Sequence, residues 1–409
     1  MIASLAWRNA RRNVRRSLLT AATVVIGVAL ATVALAWMDG VFASLFDAGA
    51  RQMGHVRVVT EAFAAREELA PLDEALPDAA ALSALLVEVP GVERVSPRIG
   101  QPVTVTVGDT IGDTFALAVA APIDWFNTVL RLPDDLVAGE GFSGEGTDQI
   151  VVGGVVADQA GAKLGDRVLA LGQTRDGALA PIEGELVGIV RTGTALVDQA
   201  VFLPLPAGQW MADVGSGASE LLVYGADRNE ALALAASVRA ALPDRGVVVQ
   251  AWSEREPLAS MAGVIGAVRG VVASLVILLC ALAVWNTMSM SVRERTAEIG
   301  VLRALGLRRR DIVALFVYEG VVIALLGGFF GVLLGGAAAT YLEWVGVSIG
   351  EQVTQNTPLP IQTTLYADMN PTVAATGLLV ALLTALVGTA LPAIAAAAIQ
   401  PVEAMRARR

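Results

Sequence analysis

A single histidine (His55), a single cysteine (Cys280) and a single lysine (Lys163) bound the chemistry open to this 409-residue chain. One His and one Cys cannot build a zinc cage, a His-rich metal site or a disulfide. A Ser–His nucleophilic arrangement is not expected when the only His lies just beyond the first apolar segment. Lys163 stands in Gly161-Ala162-Lys163-Leu164, which is not GxxxxGK[ST], so ATP cannot be held through that phosphate loop. These counts close off those particular chemistries, and the sequence singles out no catalytic residue, metal ligand or cofactor site in the chain.

The residues whose spacing can do work are charged and helical. In Asn286–Asp311, Arg293, Glu294, Arg295, Glu298 and Arg303 accompany an apolar face of Ile299, Leu302 and Leu305. Gly306 is placed to stop this helix and Asp311 to cap the next. A helix this short is not stable alone in water and must dock. It either lies on the membrane surface or sits in a groove on a cytoplasmic partner.

The elements that position this segment are apolar. Residues are 55% hydrophobic and 17% charged, below the quarter usual in soluble domains. Leu18–Trp37, Val271–Met290, Ile312–Leu334 and Thr372–Leu391 are almost free of charge, and each reaches the roughly 20 residues that cross a ~30 Å hydrocarbon core as a helix. Five Arg in 1–16, six in 291–311 and three in 400–409 leave those pieces net +10, while 39–258 is net −17. Counting basic residues in short loops puts both termini and 291–311 in the cytoplasm and the acidic segment outside. Ala34-Leu35-Ala36 imitates a cleavage site, but the long apolar run and the interfacial Trp37 and Asp39 favour a retained anchor.

The fold class that follows is a polytopic α-helical membrane protein with four transmembrane helices and a large α+β domain inserted between helices 1 and 2. The expected divisions are an interfacial helix (1–16), helix 1 (17–39), the outer α+β domain with stalk segments (40–258) and helix 2 (259–290). A coupling segment (291–311), helix 3 (312–338), an outer loop (339–371), helix 4 (372–396) and a tail (397–409) complete the chain. Gly40–Gln52 and Leu258–Gly270 lack breakers and are expected to extend the first two helices as a stalk.

Within the outer domain, strand patterns occur at Val56–Thr60, Pro102–Val107, Thr114–Val119, Ile150–Val152, Ala200–Leu203, Glu220–Tyr224 and Val247–Trp252. Helical periodicity covers Ala79–Val89 and Asn229–Leu242, each followed by a turn (Pro90-Gly91; Pro243–Gly246) and a Val-rich strand. This doubled element suggests a split βαβ arrangement of ferredoxin-like kind, with Gly139–Pro206 as a second, mostly β subdomain. Gly327, Gly331 and Gly335 recur every four residues in helix 3, beside Gly320, Gly328 and Gly336. Such a stripe brings helices close in lipid, within one chain or across a dimer. Thr23, Gly27, Ala31 and Ala34 of helix 1 form the competing seam. Glu319, two turns inside helix 3, is expected to pair with an Arg of the coupling region such as Arg308. Arg269 is expected to snorkel, and Pro392 marks a kink.

The strings "NTMSMSVRERTAEIGVLRALGLRRRDI" and "YEGVVIALLGGFFGVLLG" resemble the signature of the FtsX/MacB/lipoprotein-release superfamily of ABC transporter permeases. "LAWRNARRNVRRSLLT", "GHVRVV", "VVGGVVADQAGAKLGDRVLAL" (151–171) and the terminal "IQPVEAMRAR" look most like its LolC/LolE-type branch. The resemblance implies a permease subunit that works as a dimer, with itself or a paralogue, and with two copies of a separate ABC ATPase that binds ATP and Mg. It also implies an inner-membrane location, contact with membrane lipids, a periplasmic carrier or adaptor as a further partner, and no nucleic acid. Periplasmic motion driven by the ATPase would extract lipoproteins from the membrane. The alternatives are MacB-like export of peptides or drugs with an adaptor, and FtsX-like mechanical regulation of a cell-wall hydrolase. Carried onto this chain, the ATPase-coupling residues are Arg293, Glu294, Arg295, Glu298, Ile299, Leu302, Arg303 and Gly306. A substrate vestibule is expected from Val33, Trp37, Val41 and Phe42 on one side and Met261, Val264 and Ile265 on the other.

Overall fold

The computed structural model describes residues 14–399 apart from 68–69, 109, 145, 147, 193, 243–245, 257 and 349–363. The interfacial helix of 1–16 therefore lies outside the described residues except for 14–16, and so do the tail beyond 399, most of the 243–246 turn and the middle of the 339–371 loop. The chain divides into two units, 1–43 with 263–347 and 365–409, and 44–262 with 348–364.

Helices of seven residues or more are α1 (Val14–Met53), α2 (Ala79–Val87), α3 (Gly154–Ala160), α4 (Leu205–Ala212), α5 (Ala231–Ala241), α6 (Leu258–Glu294), α7 (Thr296–Ala304), α8 (Arg309–Val345) and α9 (Pro371–Ala398). Four of them, α1, α6, α8 and α9, are long and apolar enough to cross a membrane. Helix α1 runs without a break through 40–52, and α6 already begins at Leu258. At the start of α9, Pro371 occupies the first turn and the Asn370 side chain accepts from the Val373 N–H at 3.0 Å, the pairing that helix starts favour. Pro392 is buried inside α9.

In the membrane unit, small residues set the spacing. A Cβ on Gly327 would meet Val24 at 2.9 Å, and one on Gly331 would meet Val28 at 2.7 Å. Gly335 lies equally close to Ala29. The glycine stripe is therefore filled by α1 of the same chain, the intrachain one of the two alternatives the spacing leaves open. The other face of α8 meets α9, with Gly320 against Thr389 and Gly328 against Ala381. Gly27 of α1 packs on Cys280 of α6, and Ala31 is buried, so half of the alternative seam is also used internally. Helix α6 is the least covered: 17% of its apolar window is buried, against 33–44% for the other three.

The inserted unit holds a ten-stranded sheet: β1 (Val56–Thr60), β2 (Arg94–Val107), β3 (Thr110–Ala121), β4 (Leu136–Gly139), β5 (Gln149–Gly153), β6 (Arg167–Gln173), β7 (Leu179–Val190), β8 (Ala200–Pro204), β9 (Glu220–Tyr224) and β10 (Val247–Ala251). Strands β10-β1-β9-β2 lie side by side, all antiparallel. With α2 leading into β2 and α5 into β10, this is the split βαβ order expected from the doubled helix–turn–strand element. The rest is not a separate β subdomain over 139–206. Strand β2 is long enough to pair with β9 through Arg94–Arg98 and with β3 through Ile99–Val107, and β6 joins it at Thr104–Val107. Pairings β2–β3, β3–β8, β8–β5, β5–β7, β7–β6 and β6–β2 close a ring of six strands. One apolar core, with Val58, Ile99, Val105, Ile150, Ile182 and Leu221, runs through both halves.

Candidate coupling site

The path from α6 to α8 turns at Arg295, which leaves helical geometry (φ −107°, ψ 18°) between α6 and α7. At the far end Gly306 takes φ +97°, a conformation in which glycine carries no Cβ penalty. There the Leu307 N–H reaches the Leu302 carbonyl at 3.2 Å and the Gly306 N–H the Arg303 carbonyl at 3.1 Å, a C-cap that closes the helix. Asp311 then accepts from the Arg308 N–H at 3.0 Å at the start of α8. A nine-residue helix is thus delimited by its own sequence at both ends.

Its inward face is fastened to three helices. Ile299, 3% exposed, packs with Val292 of α6, Ile312 and Phe316 of α8, and Ala393 and Ala396 of α9. Arg295 donates through Nη1 to Glu319 at 3.1 Å and through Nε to Glu298 at 3.2 Å, and its guanidinium stands 5.7 Å from the centre of the Phe316 ring. Arg303 donates through Nη1 to the carbonyls of Ala397 (3.1 Å) and Ile399 (2.5 Å), a cation at the negative end of α9. Burying Ile299 against this seam contributes on the order of 2 kcal/mol, and the two arginines add directional bonds.

These positions redistribute the expected coupling residues. Arg295 and Arg303 turn into the bundle. Arg293 and Glu294 are exposed, Glu298 is partly exposed beside Arg295, and Leu302 is half-buried. Leu305 does not join the docked face: it is 76% exposed, and Val301 is 50% exposed. The reason is the Gly306 cap, which ends α7 before Leu305 can complete another turn on the Ile299 side. Glu319 pairs with an Arg of the coupling region, as expected, and that Arg is Arg295: the bend there carries its guanidinium back over α8. Arg269 does not merely snorkel. Its Nη1 lies 2.7 Å from Asp39 Oδ1, and Asn370 donates to the other Asp39 oxygen at 3.3 Å.

The expected vestibule residues are scattered among different environments. Trp37 packs against Leu35, Ala339, Ala367 and Val373, and Met261 against the core of the inserted domain. Val33, Val41, Phe42 and Ile265 are half-buried, and Val264 is exposed. Sequence reasoning missed Asp39 as the partner of Arg269, although a lone acid and a lone base near opposite ends of two apolar runs is a readable signal. It also missed a group of arginines and glutamates in the inserted domain. Among the described residues, no cluster of His, Cys, Asp and Glu is arranged to hold a metal ion.

Two family models match. One, described as FtsX-like permease C-terminal, covers residues 270–401, and one described as MacB-like periplasmic core domain covers 17–241. The "Macrolide export ATP-binding/permease protein MacB" of Azoarcus sp. is 29% identical over 373 residues, 82% of this chain and 51% of that protein. The protein of the same name from Brucella abortus is 43% identical over 98 residues, 24% of this chain and 15% of that protein. The crystal structure of the periplasmic region of MacB from Actinobacillus actinomycetemcomitans superposes with a TM-score of 0.37 at 12% identity, covering 53% of this chain and 95% of that one. The chain spans at most about half the length of these curated relatives. With one model alone matching more than half of its residues, four candidate membrane helices and an α+β domain between the first two, the chain belongs to the FtsX/MacB superfamily of ABC transporter permeases.

Proposed function

We propose that this permease receives motion from a separate ATPase at α7 and converts it into displacement of its inserted domain, extracting lipoproteins from the inner membrane. The observation that carries the coupling is the two-sided character of α7. Its inner side is bonded to α8 and α9 through Arg295–Glu319 and Arg303–Ala397, while Arg293, Glu294, Val301 and Leu305 remain exposed on it and at its ends. A push on the exposed side is passed to the bundle through bonds and close packing and not through a loose linker. Two ATPase copies would bind ATP and Mg and act on a pair of permease chains, this one twice or with a paralogue. The sparsely covered face of α6 supports such a second chain. Extraction needs an energy source because each buried methylene holds an acyl chain by ~0.8 kcal/mol, so a triacylated anchor is retained by tens of kcal/mol.

Purified chain, partner ATPase and ATP in proteoliposomes should release labelled lipoprotein to a periplasmic carrier. Equal movement of the same protein without its lipid would overturn the lipoprotein reading. A second reading, export of peptides or drugs through an adaptor, is supported by relatives named as macrolide exporters. It predicts ATP stimulation by soluble drug or peptide and none by lipoprotein.

A further inference from the structure

Five charged side chains drawn from distant parts of the sequence meet at one cavity of the inserted domain. Arg57 stands on β1, Arg98 on β2, Glu220 on β9, Glu67 shortly after β1 and Arg255 shortly after β10. A cavity of about 320 Å³ lies against all five, at the lower end of the range occupied by small-molecule sites. Arg57 is 2% exposed, with its Nη2 donating to Glu67 and to Gln250, each at 2.7 Å. Glu220 Oε1 accepts from Arg98 Nε at 3.0 Å and Nη2 at 2.8 Å. Arg255 donates to Glu67 Oε1 and to the Met53 carbonyl, both at 3.2 Å.

Counted over the described residues, the cluster is not neutral. Three guanidinium groups face two carboxylates, and the α1 carbonyls of Gln52 and Met53, which accept from Arg98 and Arg255, carry only about half an elementary charge per helix end. Buried charges are ordinarily matched; here a positive surplus remains. Burial pushes the Arg255 guanidinium down from its ordinary value, Glu220 opposes that, and Arg57 and Arg98 add to it. Two buried polar atoms in the cluster lack a hydrogen-bond partner, the Arg57 Nε donor and the Glu220 Oε2 acceptor. The Arg57 side chain lines the cavity with that donor unused. Apart from Gln52, the rest of the lining is apolar and includes Phe63, Leu117, Val119, Trp125 and Phe202. Leu117, 42% exposed, and Glu67, whose side chain is 47% exposed, stand on its solvent side.

We propose that this cavity binds an amphiphile with one anionic head: a carboxylate or phosphate set against Arg57 and Arg255, and a short apolar body lying on Phe63, Leu117, Val119, Trp125 and Phe202. The anion supplies the missing negative charge. The site is independent of which cargo the transporter moves. Arg98 and Arg255 also hold the last carbonyls of α1, and the Tyr224 hydroxyl donates to the Arg51 carbonyl at 2.8 Å, so ligand and helix end share the same side chains.

The test is isothermal titration of the full chain in phosphatidylcholine nanodiscs with octanoate, octyl phosphate, octanol, acetate and inorganic phosphate. Octanoate or octyl phosphate should bind with one site per chain, at least tenfold more tightly than octanol, acetate or inorganic phosphate. The tighter of the two distinguishes a fatty-acid source from a phospholipid source. Leu117→Trp, which fills the cavity from its exposed side, should weaken binding at least tenfold with an unchanged melting temperature. Glu67→Gln, which enlarges the positive surplus, should strengthen it severalfold. Equal binding of octanol, inorganic phosphate as tight as the amphiphiles, or indifference to Leu117→Trp would each overturn the proposal.

Discussion

Two arginine–glutamate groups in this chain do a similar job in different surroundings. At α7, Arg303 takes the final carbonyls of α9, and Arg295 bridges Glu298 and Glu319. In the inserted domain, Arg98 and Arg255 take the final carbonyls of α1, and Glu220 and Glu67 bind them in turn. Each group fastens the C-terminal end of a long helix to its own unit. The first is contained within α6–α9 and reaches the surface through Glu298. The second is assembled from β1, β2, β9 and the segments after β1 and β10, lies deep, and carries excess positive charge. The Arg295–Glu319 and Arg98–Glu220 pairs are equally enclosed, their side chains 15% and 9% exposed in each, but at α7 two arginines meet two glutamates, so that group is matched. A buried clamp that is incompletely matched leaves a vacancy for a ligand.

Removing one member from each group should separate them. Glu220→Ala strips Arg98 of its carboxylate and leaves three buried guanidinium groups facing one exposed acid. Breaking a buried pair in this way costs about 3–5 kcal/mol, read as a lower melting temperature of the inserted domain. Arg303→Ala loses charge-assisted bonds to two carbonyls near the surface, about 1.5–3 kcal/mol. It should also loosen α7 enough to raise its amide exchange while leaving the inserted domain unchanged. Equal losses for the two variants would remove the distinction between the charge-matched and the unmatched group.

Acid gives a smaller effect. The Glu67 carboxyl is held below the ordinary glutamate value of 4.5 chiefly by its bond to Arg57. Burial pushes Glu220 upward, but Arg98, Arg255 and Arg57 outweigh it and keep it low. A carboxylate with a lowered folded pKa stabilises above its unfolded value, and that stability fades as pH falls through the folded one. The inserted domain should therefore lose stability below about pH 4.5. Glu67→Gln should flatten the slope by under about 1 kcal/mol, since an exposed partner is screened. Thermal melts between pH 3 and 7 check the sign, and a wild-type domain that gains stability in acid would contradict it.

Local features were the legible ones. The apolar runs behind α1, α6, α8 and α9, the Gly306 stop, the Asp311 cap and both helices of the split βαβ half each depend on neighbours within a few turns. Strands β6 and β7 were hidden because Gly172, Pro181, Gly184 and Gly188 interrupt their β-forming residues, even though β7 alternates buried and exposed positions along its length. The ring closed by β2 and β6 depends on pairing across more than 60 residues, which periodicity does not carry. The same holds for the cluster at Arg57, whose members are up to 198 positions apart (57 to 255). At α7, residue types were readable but their directions were not. One non-helical residue, Arg295, redirects the chain after it, and that bend decides which arginine of the segment meets Glu319.

The central claim is that the exposed side of α7 is where the ATPase engages. A photo-crosslinking amino acid at Leu305, illuminated in cells with and without ATP depletion, tests it most directly, with Leu278 on the exposed face of α6 as the control. The account predicts that Leu305 yields an adduct with an ABC ATPase and that Leu278 yields none. Adducts at Leu305 confined to lipid in both nucleotide states would contradict it.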